Sequence, residues 1–582
     1  MATDNLLQEF PPVSTQSWED AIAKDLKGAD YARKLIWHTE EGLAAKPYYR
    51  ADDISGLEFL DAAPGHFPYL RSARFSGDWQ IREEIDAADP EQANHAAQSA
   101  VAAGVEEIAF RNVVVSNTSD LGMLLVKLQT IPVHFQNADE QLLRLLIERL
   151  TERPDSAPVS TGWNPLTNLD FAAEVLRTTP PALVPFTIDG SAFAESGATA
   201  VEEVGFTLAA AVDFLAEMQS RKVEIDRAAA SIEFSFAIGA NYFFQVAKFR
   251  AFRMLWARAV ESFGGTVECA RARIHARTSR WNKTLYDSHI NILRATTEAM
   301  SAILGGAGSV TVAAFDECYK TPDEASRRLA RNTQIIFKRE ALLAHVADPG
   351  AGSYCLEVIT DFIAHVGWQS MQMVEADGGF GKADVDGLIG NALRRSLAAK
   401  EKEVVSRRRV FTGTNQYADT SEKALQRVDP LRLSAERRGA EVYEQLRLRT
   451  ERHAAETGWL PLVLLAEIGD AKMRTARSGF AANFFACAGF DIVTQRFQSP
   501  AGIAASDADL IVLCSSDPEY LELVSELALR LKELGRRTPV IVAGNPEFTE
   551  QLQAAGAADF IHIRSNPIEV LTSWQQQLGI KA

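Results

Sequence analysis

A short stretch in the middle of the chain carries one histidine between four arginines. The arginines are Arg271, Arg273, Arg277 and Arg280, and the histidine is His275. A guanidinium group binds phosphate or carboxylate oxygens through two parallel hydrogen bonds, so this set could hold a phosphorylated ligand. The same arginines could instead pair with nearby Asp and Glu side chains, either within the chain or at a subunit contact. A histidine at a strand end more often makes ordinary hydrogen bonds.

A second candidate site is a glycine-bounded turn at residues 469–479, which contains Asp470 and Arg474. No histidine lies between His453 and His562, and a guanidinium group has no lone pair to give to a metal ion. No set of His, Cys and carboxylate residues elsewhere has the spacing of metal ligands. The sequence therefore predicts no bound metal.

The elements around this turn predict a doubly wound parallel sheet over residues 456–582. Five short apolar runs are typical of buried strands, at residues 460–468, 490–494, 509–514, 539–543 and 559–563. Helical periodicity is clearest at 474–488 and 518–534. Sheets of this flavodoxin-like kind bind ligands at the carboxyl ends of their strands, which is where the 469–479 turn falls.

The longer part of the chain, residues 46–400, predicts a (β/α)8 barrel of the TIM type, with its mouth at the carboxyl ends of the strands. Strand candidates are 107–110, 132–135, 183–188, 231–236, 271–276 and 309–313. Helix candidates are 139–150, 198–218, 242–263, 288–304 and 323–339. Residues 1–45 are predicted to form an arm that packs on the barrel or wraps a neighbour. The charged residues 401–455 predict a partly helical connector across the surface.

Composition limits the classes of partner. The chain has 582 residues and a net charge of −17, which argues against nucleic acid and anionic membranes as partners. Five scattered cysteines form no C-x-x-C pair, as expected of reduced thiols in a cytoplasmic protein. Residues 1–10 do not resemble a signal peptide, and no apolar run reaches the ~18 residues that a membrane span needs.

The terminal segment resembles the cobalamin-binding domain of the B12-dependent acyl-CoA mutases. In that family the turn carries the signature D-x-H-x-x-G, whose imidazole becomes the lower axial ligand of cobalt. Counting back from residues 489–491 (GFD) places the family's histidine at about Arg474. Ser515 and Gly544 stand at later landmarks of the family. The resemblance implies a degenerate cobalamin turn around Asp470, Arg474, Ser515 and Gly544.

The barrel half resembles the same family, in which methylmalonyl-CoA mutase is the reference activity. Matching segments occur in the same order from about residue 46 onward. They are 46–49 (KPYY), 78–83 (DWQIRE), 241–250 (NYFFQVAKFR), 304–306 (LGG), 330–334 (ARNTQ), 348–354 (DPGAGSY) and 412–417 (TGTNQY). Any one match is weak, but seven in collinear order are strong.

The positions that carry catalysis in the family are altered. Its tyrosine before the 78–83 match is absent, with Phe75 as a steric stand-in, and its arginine segment for the substrate carboxylate is not found between residues 163 and 185. His275 matches the family's histidine for the thioester carbonyl and is a vestigial catalytic candidate. Arg277 and Arg280 replace the glutamine and glycine near it. Arg273 and Arg277 are candidate contacts for the phosphates of coenzyme A.

The resemblance therefore implies a non-catalytic small subunit of a heterodimeric methylmalonyl-CoA mutase. Its partner would be the catalytic large subunit, which would hold adenosylcobalamin and interconvert methylmalonyl-CoA and succinyl-CoA; this chain would bind no cofactor. Two alternatives stay open. The chain could be an active acyl-CoA mutase with atypical cobalamin binding, or a free-standing acyl-CoA-binding or chaperone-like homologue.

Overall fold

A computed structural model describes residues 13–153, 155–430, 432 and 437–581. Parallel strand segments form a barrel wall in the first part of the chain. They are β1 Gln80–Asp86, β2 Glu107–Arg111, β3 Val133–Phe135, β4 Val159–Thr161, β5 Leu183–Val184, β6 Phe186–Asp189, β7 Ile232–Ile238, β8 Arg273–Thr278 and β9 Ser309–Thr311. They pair in the order β5-β4-β3-β2-β1-β9-β8-β7-β6.

The two end segments of this order, β5 and β6, are one strand interrupted at Pro185. Proline has no N–H for the ladder, and the Pro185 carbonyl accepts a hydrogen bond from the Thr161 hydroxyl at 2.6 Å. β5 pairs with β4 and β6 pairs with β7. The nine segments therefore close as an eight-stranded barrel, and the predicted TIM-type fold is confirmed.

The β9–β1 junction closes the barrel with two residue pairs, Ser309 with Gln80 and Val310 with Ile81. By contrast, β1 and β2 share five pairs, and β7 and β8 share six. The first and last strands of the barrel therefore have a short common ladder.

Helices surround the barrel and both faces of the terminal sheet. In the described residues their bounds are α1 Thr15–Asp25, α2 Tyr31–Leu35, α3 Ala51–Ile54, α4 Pro90–Ala102, α5 Thr118–Leu124, α6 Glu140–Glu152, α7 Leu169–Thr178, α8 Ser191–Glu195, α9 Ala200–Ser220, α10 Ile225–Ala230, α11 Tyr242–Ser262, α12 Ile290–Leu304, α13 Glu324–Arg339, α14 Tyr354–Ala376, α15 Phe380–Val385, α16 Leu388–Val405, α17 Glu441–Thr457, α18 Ala471–Ala486, α19 Pro500–Ala504, α20 Tyr520–Glu533, α21 Thr549–Ala555 and α22 Pro567–Gln577.

The terminal domain is a five-stranded parallel sheet. Its strands are β10 Leu462–Glu467, β11 Asp491–Arg496, β12 Leu510–Cys514, β13 Val540–Ala543 and β14 Ala557–Ile561. Their order is β11-β10-β12-β13-β14, which is the 2-1-3-4-5 order of flavodoxin-like folds. The predicted flavodoxin-like sheet is therefore confirmed, and its topological switch point lies between β10 and β12.

The 401–455 segment, predicted as a surface connector, is packed at its carboxyl-terminal part. Glu444 of α17 is fully buried and accepts a hydrogen bond from the Leu285 N–H at 2.7 Å. On another side of α17, Gln575 of α22 donates to the Leu446 carbonyl at 2.7 Å. Helix α17 thus lies between a barrel loop and the terminal sheet domain, and the domain limits at residues 45, 400 and 455 stay predictions.

The N-terminal arm contacts the rest of the chain only lightly. No residue from 13 to 38 is buried. The ring of Trp18 lies 5.4 Å from that of Tyr48, and Trp37 lies 6.1 Å from Phe244. A hairpin, Trp37–His38 with Ala44–Ala45, ends the arm. Residues 1–12 of the predicted arm lie outside the described residues.

Candidate functional site

The middle of the barrel interior holds an ion-paired triad. Arg82 of β1 donates to Glu107 of β2 at 2.7 Å. Its guanidinium also donates two parallel hydrogen bonds to the Glu233 carboxylate of β7, at 2.9 Å each. Two strands separate β1 from β7 in the wall, so this contact crosses the barrel interior. All three side chains are buried, and together they fill the barrel axis at this height.

Two neutral histidines lie beside the triad. Nδ1 of His134 is 2.8 Å from the Ser160 hydroxyl, and Nδ1 of His275 is 2.9 Å from the Ser309 hydroxyl. Burial lowers the pKa of His134 to about 4. Burial, followed by the charge of Arg82, lowers the pKa of His275 well below its usual value. His275 therefore sits in the packed interior as an uncharged hydrogen-bonding group near pH 7.

Arg277 lies nearer the carboxyl end of β8 and is held by two carboxylates. Its guanidinium donates to Glu84 at 2.8 and 3.2 Å and to Glu317 at 2.6 Å. Burial raises the pKa of Glu84, but Arg277 outweighs it and lowers that pKa to about 2. Arg280 lies 3.8 Å from the same Glu317 carboxylate. This geometry corresponds to ion pairing with nearby acids.

Arg273 lies at the opposite end of the same strand. Arg277 is four positions further along this strand, a distance of about 13 Å at ~3.3 Å per residue. Arg273 is exposed and lines a cavity of about 510 Å³ together with Arg74, Arg271 and Glu268. The cavity opens at the amino-terminal end of the barrel strands. The two arginines that the sequence suggested as contacts of one ligand are therefore not brought together.

A second cavity, of about 680 Å³, lies at the barrel mouth and extends over β1. Its inner lining includes Glu84, Arg111, Thr311 and Glu317. Arg82 lines both this cavity and the one at the amino-terminal end. Arg82 therefore lies between the two cavities, and the second cavity also reaches α4 and α13 outside the barrel wall.

The switch point of the terminal sheet is bridged by one carboxylate. Oε2 of Glu519 accepts hydrogen bonds from the Asp470 N–H at 3.1 Å and from the hydroxyls of Ser515 and Ser516 at 2.6 and 2.5 Å. The serine hydroxyls lower the pKa of Glu519 to about 2. Asp470 also caps α18 by accepting from the Met473 N–H at 2.8 Å.

Two arginines of α18 complete this region. Arg474 donates to the Gly469 carbonyl at 2.8 Å. Arg477 donates to Asp517 at 2.7 Å and to the Ala543 carbonyl at the end of β13. A Cβ atom on Gly544 would collide with the Arg477 guanidinium. Asp470, Arg474, Ser515 and Gly544 are therefore neighbours around one crevice, and side chains of this chain fill it.

The whole chain is similar to proteins of one enzyme family. A family model described as methylmalonyl-CoA mutase matches residues 38–117 and 166–476. The methylmalonyl-CoA mutase small subunit of Porphyromonas gingivalis is 34% identical, over 99% of both chains. The small subunit of Streptomyces virginiae is 32% identical, over 99% of this chain and 98% of its own. The chain belongs to the methylmalonyl-CoA mutase family.

Members of the methylmalonyl-CoA mutase family also include larger chains. The methylmalonyl-CoA mutase large subunit of Streptomyces virginiae is 29% identical, over 76% of this chain and 67% of its own. Large and small chains with these names are therefore homologous to each other as well as to this protein.

The methylmalonyl-CoA mutase family generally depends on cobalamin, and the residues at this chain's crevice do not fit that group. Arg474 stands at about the position of the family's axial histidine. Its guanidinium cannot ligate cobalt, and it donates a hydrogen bond to the Gly469 carbonyl. Beside it, Arg477 occupies the space over Gly544, and Glu519 ties together the turns after β10 and β12.

Metal-binding clusters and membrane-spanning helices are both absent from the described residues. No group of three or more His, Cys, Asp or Glu side chains there could hold a metal ion. No helix within the same residues is long and apolar enough to cross a membrane.

Sequence reasoning missed the residues that fill the two sites. Glu107 and Glu233 lie in segments that the apolar pattern predicts simply as buried strands, and Arg477 and Glu519 match no catalytic motif. A usable signal was present at residues 80–86 (QIREEID), where the charged residues Arg82, Glu84 and Asp86 recur at the two-residue period of a strand. Charges on the inward face of a barrel strand require partners inside the barrel.

Proposed function

We propose that this chain is the small, non-catalytic subunit of a heterodimeric methylmalonyl-CoA mutase in the cytoplasm. Its partner is the catalytic large subunit, which holds adenosylcobalamin and interconverts methylmalonyl-CoA and succinyl-CoA. This chain stabilises that partner and binds no corrinoid itself.

The observation that carries the proposal is the buried ion-paired triad of Arg82, Glu107 and Glu233 in the barrel interior. A catalytic barrel needs room for a substrate and groups that stabilise the transition state more than the ground state. Here the interior is filled by Arg82, Glu107 and Glu233, which are already paired with one another. Moving these side chains apart to make room for a substrate would leave buried charges without partners, which is energetically unfavourable. A substrate therefore gains no free path along the axis.

The candidate histidine supports the same proposal. His275 is buried and neutral, and its Nδ1 is engaged with Ser309. Its neighbours toward the mouth are Arg277 and Glu84, which are paired with each other. We therefore propose that His275 contributes to packing of the barrel interior and does not act on a thioester in this chain.

The N-terminal arm is the proposed contact with the large subunit. Helix α1 has no buried residue, and an isolated helix of 11 residues is marginal in water. Its apolar residues Trp18, Ala21 and Ile22 follow the i, i+3, i+4 spacing of one helical face. A partner surface that covers this face would supply the missing burial.

The test is to purify the chain alone, the large subunit alone, and the two together. Corrinoid absorbance and isomerase activity are measured in each sample. We expect corrinoid and turnover with the large subunit present, and neither with this chain alone. Isomerase activity of this chain by itself would overturn the proposal and favour the alternative of an active mutase with atypical cobalamin binding.

The cavity at the amino-terminal end of the barrel favours a second function, binding of coenzyme A phosphates without catalysis. Arg273 is exposed there beside Arg74 and Arg271, whereas Arg277 is occupied by Glu84 and Glu317. Isothermal titration with coenzyme A tests this proposal. An Arg273→Ala variant should bind more weakly than an Arg277→Ala variant, and absence of heat with the native chain would exclude the function.

A further inference from the structure

Arg477 is the side chain that fills the crevice at the switch point of the terminal sheet. Its guanidinium reaches from α18 to Asp517 in the turn after β12 and to the Ala543 carbonyl at the end of β13. It lies 3.3 Å from the Tyr520 hydroxyl, which itself donates to the Ala543 carbonyl at 2.7 Å. One side chain therefore joins a helix to the carboxyl ends of two strands, where ligands of such sheets bind.

Arg477 lies in the second turn of α18, whose first residue is Ala471. In the signature D-x-H-x-x-G the aspartate precedes the histidine by two residues and the glycine follows it by three. A histidine position at about Arg474 puts the aspartate at Lys472, so Asp470, which caps α18, does not match the signature. The same count puts the glycine near residue 477. A residue without a side chain there would leave open the space that the Arg477 guanidinium now fills. Gly544 on the facing turn has no room for a Cβ because of that same guanidinium.

Glu519 reinforces the closure from the other side. Its Oε2 receives hydrogen bonds from Asp470 after β10 and from Ser515 and Ser516 after β12. A Cβ on Gly469 would collide with both Glu519 and Ser515. The two turns that border the switch point are thus tied to each other by groups of this chain.

We propose that Arg477 has converted the cofactor crevice of this domain into an internal lock, which excludes a corrinoid even when an imidazole is restored at position 474. The guanidinium takes the place of a ligand and stabilises the carboxyl edge of the sheet. Loss of the axial histidine and closure of the crevice are then two separate barriers.

The test uses the full-length chain and hydroxocobalamin as the probe. Three variants are compared: Arg474→His, Arg474→His with Arg477→Gly, and Arg474→His with Ala476→Gly. Ala476 is an exposed neighbour in α18, so the last variant controls for the ~1 kcal/mol by which glycine weakens a helix. Retained corrinoid is measured after gel filtration, with its visible spectrum as evidence of imidazole ligation.

We expect the variant that carries Arg477→Gly to retain hydroxocobalamin. Its affinity for hydroxocobalamin should exceed that of the other two variants at least about tenfold, which corresponds to about 1.4 kcal/mol. Retention by Arg474→His alone would overturn the proposal, because Arg477 would then be no barrier. Failure of the folded Arg477→Gly variant to exceed Arg474→His would also overturn it, because the barrier would lie elsewhere.

A readout without a corrinoid tests the lock itself. In a native background, Arg477→Gly should lower the melting temperature and the amide-exchange protection of residues 515–520 more than Ala476→Gly does. Equal effects of the two substitutions would contradict a locking role. The inference rests on the proposed function only for the statement that this chain carries no corrinoid. Binding to the large subunit is measured separately, so failure of the lock leaves the proposed subunit role standing.

Discussion

Arg82 illustrates how a buried charge becomes part of a barrel core. Its guanidinium meets two carboxylates, Glu107 and Glu233, with no exposed charge among the three. A buried ion pair gains little over an apolar core of the same shape, but removal of one member leaves the other charges without compensation. The triad is therefore stable only as a complete set.

The first prediction concerns this set. Arg82→Ala should lower the free energy of unfolding by about 3 to 5 kcal/mol, because Glu107 and Glu233 remain buried without a counter-charge. Arg530→Ala is the control, since Arg530 forms an exposed pair with Glu533 and should change stability by less than about 1 kcal/mol. Urea unfolding of both variants measures the difference. Similar losses would show that the triad is not a coupled set.

The second prediction concerns pH. An unfolded imidazole takes up a proton as the pH falls through about 6.5, whereas buried His134 stays neutral until about pH 4, and the pKa of His275 is also lowered. The unfolded state then binds more protons than the folded state, so stability falls as the pH drops from about 6.5 toward 4. His134→Gln should make the urea midpoint less dependent on pH across this window. If the urea midpoint of the His134→Gln variant depends on pH as steeply as that of the native chain, His134 is not a source of this pH dependence.

At the scale of elements, periodicity predicted most of the strands but only seven of the described helices. The helix predicted at 242–263 is α11, Tyr242–Ser262, and the strand predicted at 107–110 is β2, Glu107–Arg111. Strands β1 and β4 were missed, since β1 carries charges on its inward face and β4 (Val-Ser-Thr) has a single apolar residue between Pro158 and Gly162. Pattern reasoning assumes an apolar interior, and this barrel violates that assumption where its charges pair across the axis.

The arrangement of α17 was also beyond the sequence pattern. Its charges suggested a solvated connector, but Glu451 accepts from the Tyr286 hydroxyl at 2.8 Å and from the Ala424 and Leu425 N–H groups at 2.9 Å each. Arg447 lies over the Tyr286 ring at 3.7 Å. Such partners come from distant parts of the chain, so only the assembled fold reveals that these charges are buried.

The third prediction follows from this packing. Tyr286→Phe removes a buried hydrogen bond to a carboxylate and should lower the free energy of unfolding by about 1.5 to 3 kcal/mol. Amide exchange of α17 should accelerate, because Glu451 loses one of its partners. Tyr417→Phe is the matched control, since Tyr417 is exposed. Unaltered exchange of α17 in the Tyr286 variant would contradict its role between barrel and sheet.

At the scale of the whole molecule, side chains of the chain itself fill the barrel axis and the switch point of the terminal sheet, while a cavity of about 680 Å³ is open at the barrel mouth. The barrel axis holds the Arg82 triad, and the switch point of the terminal sheet holds Arg477 and Glu519. No residue of the N-terminal arm from 13 to 38 is buried. The molecule thus combines filled interior sites with a largely exposed N-terminal extension.

The fourth prediction concerns that extension. Trp18→Glu should weaken association with the large subunit, because it places a charge on the apolar face of α1. Thermal unfolding of the isolated chain should stay nearly unchanged, since no residue from 13 to 38 is buried. Titration calorimetry measures the affinity, with Lys24→Glu as a control on the same helix. Equal affinities for the native and Trp18→Glu chains would remove the arm from the interface.

The fifth prediction concerns catalysis by the assembled pair. His275→Ala in this chain should leave turnover of the complex within about twofold, because this histidine contacts Ser309 and lies in a packed interior. A tenfold loss would correspond to ~1.4 kcal/mol of transition-state stabilisation and would assign His275 a catalytic role. Steady-state isomerase assays at saturating substrate provide the measurement.

The short ladder between β1 and β9 has a consequence for how the barrel comes apart. Its two residue pairs join the ends of a wall whose other junctions include ladders of five and six pairs. The β4–β5 junction is equally short, but the β9–β1 junction is the one that joins the first and last strands of the barrel. Parting of this seam under partial denaturation would leave a curved, open sheet with the Arg82 triad exposed to water at its rim. Hydration of those charges would then favour the opened form, so the barrel's polar interior makes this seam harder to reclose.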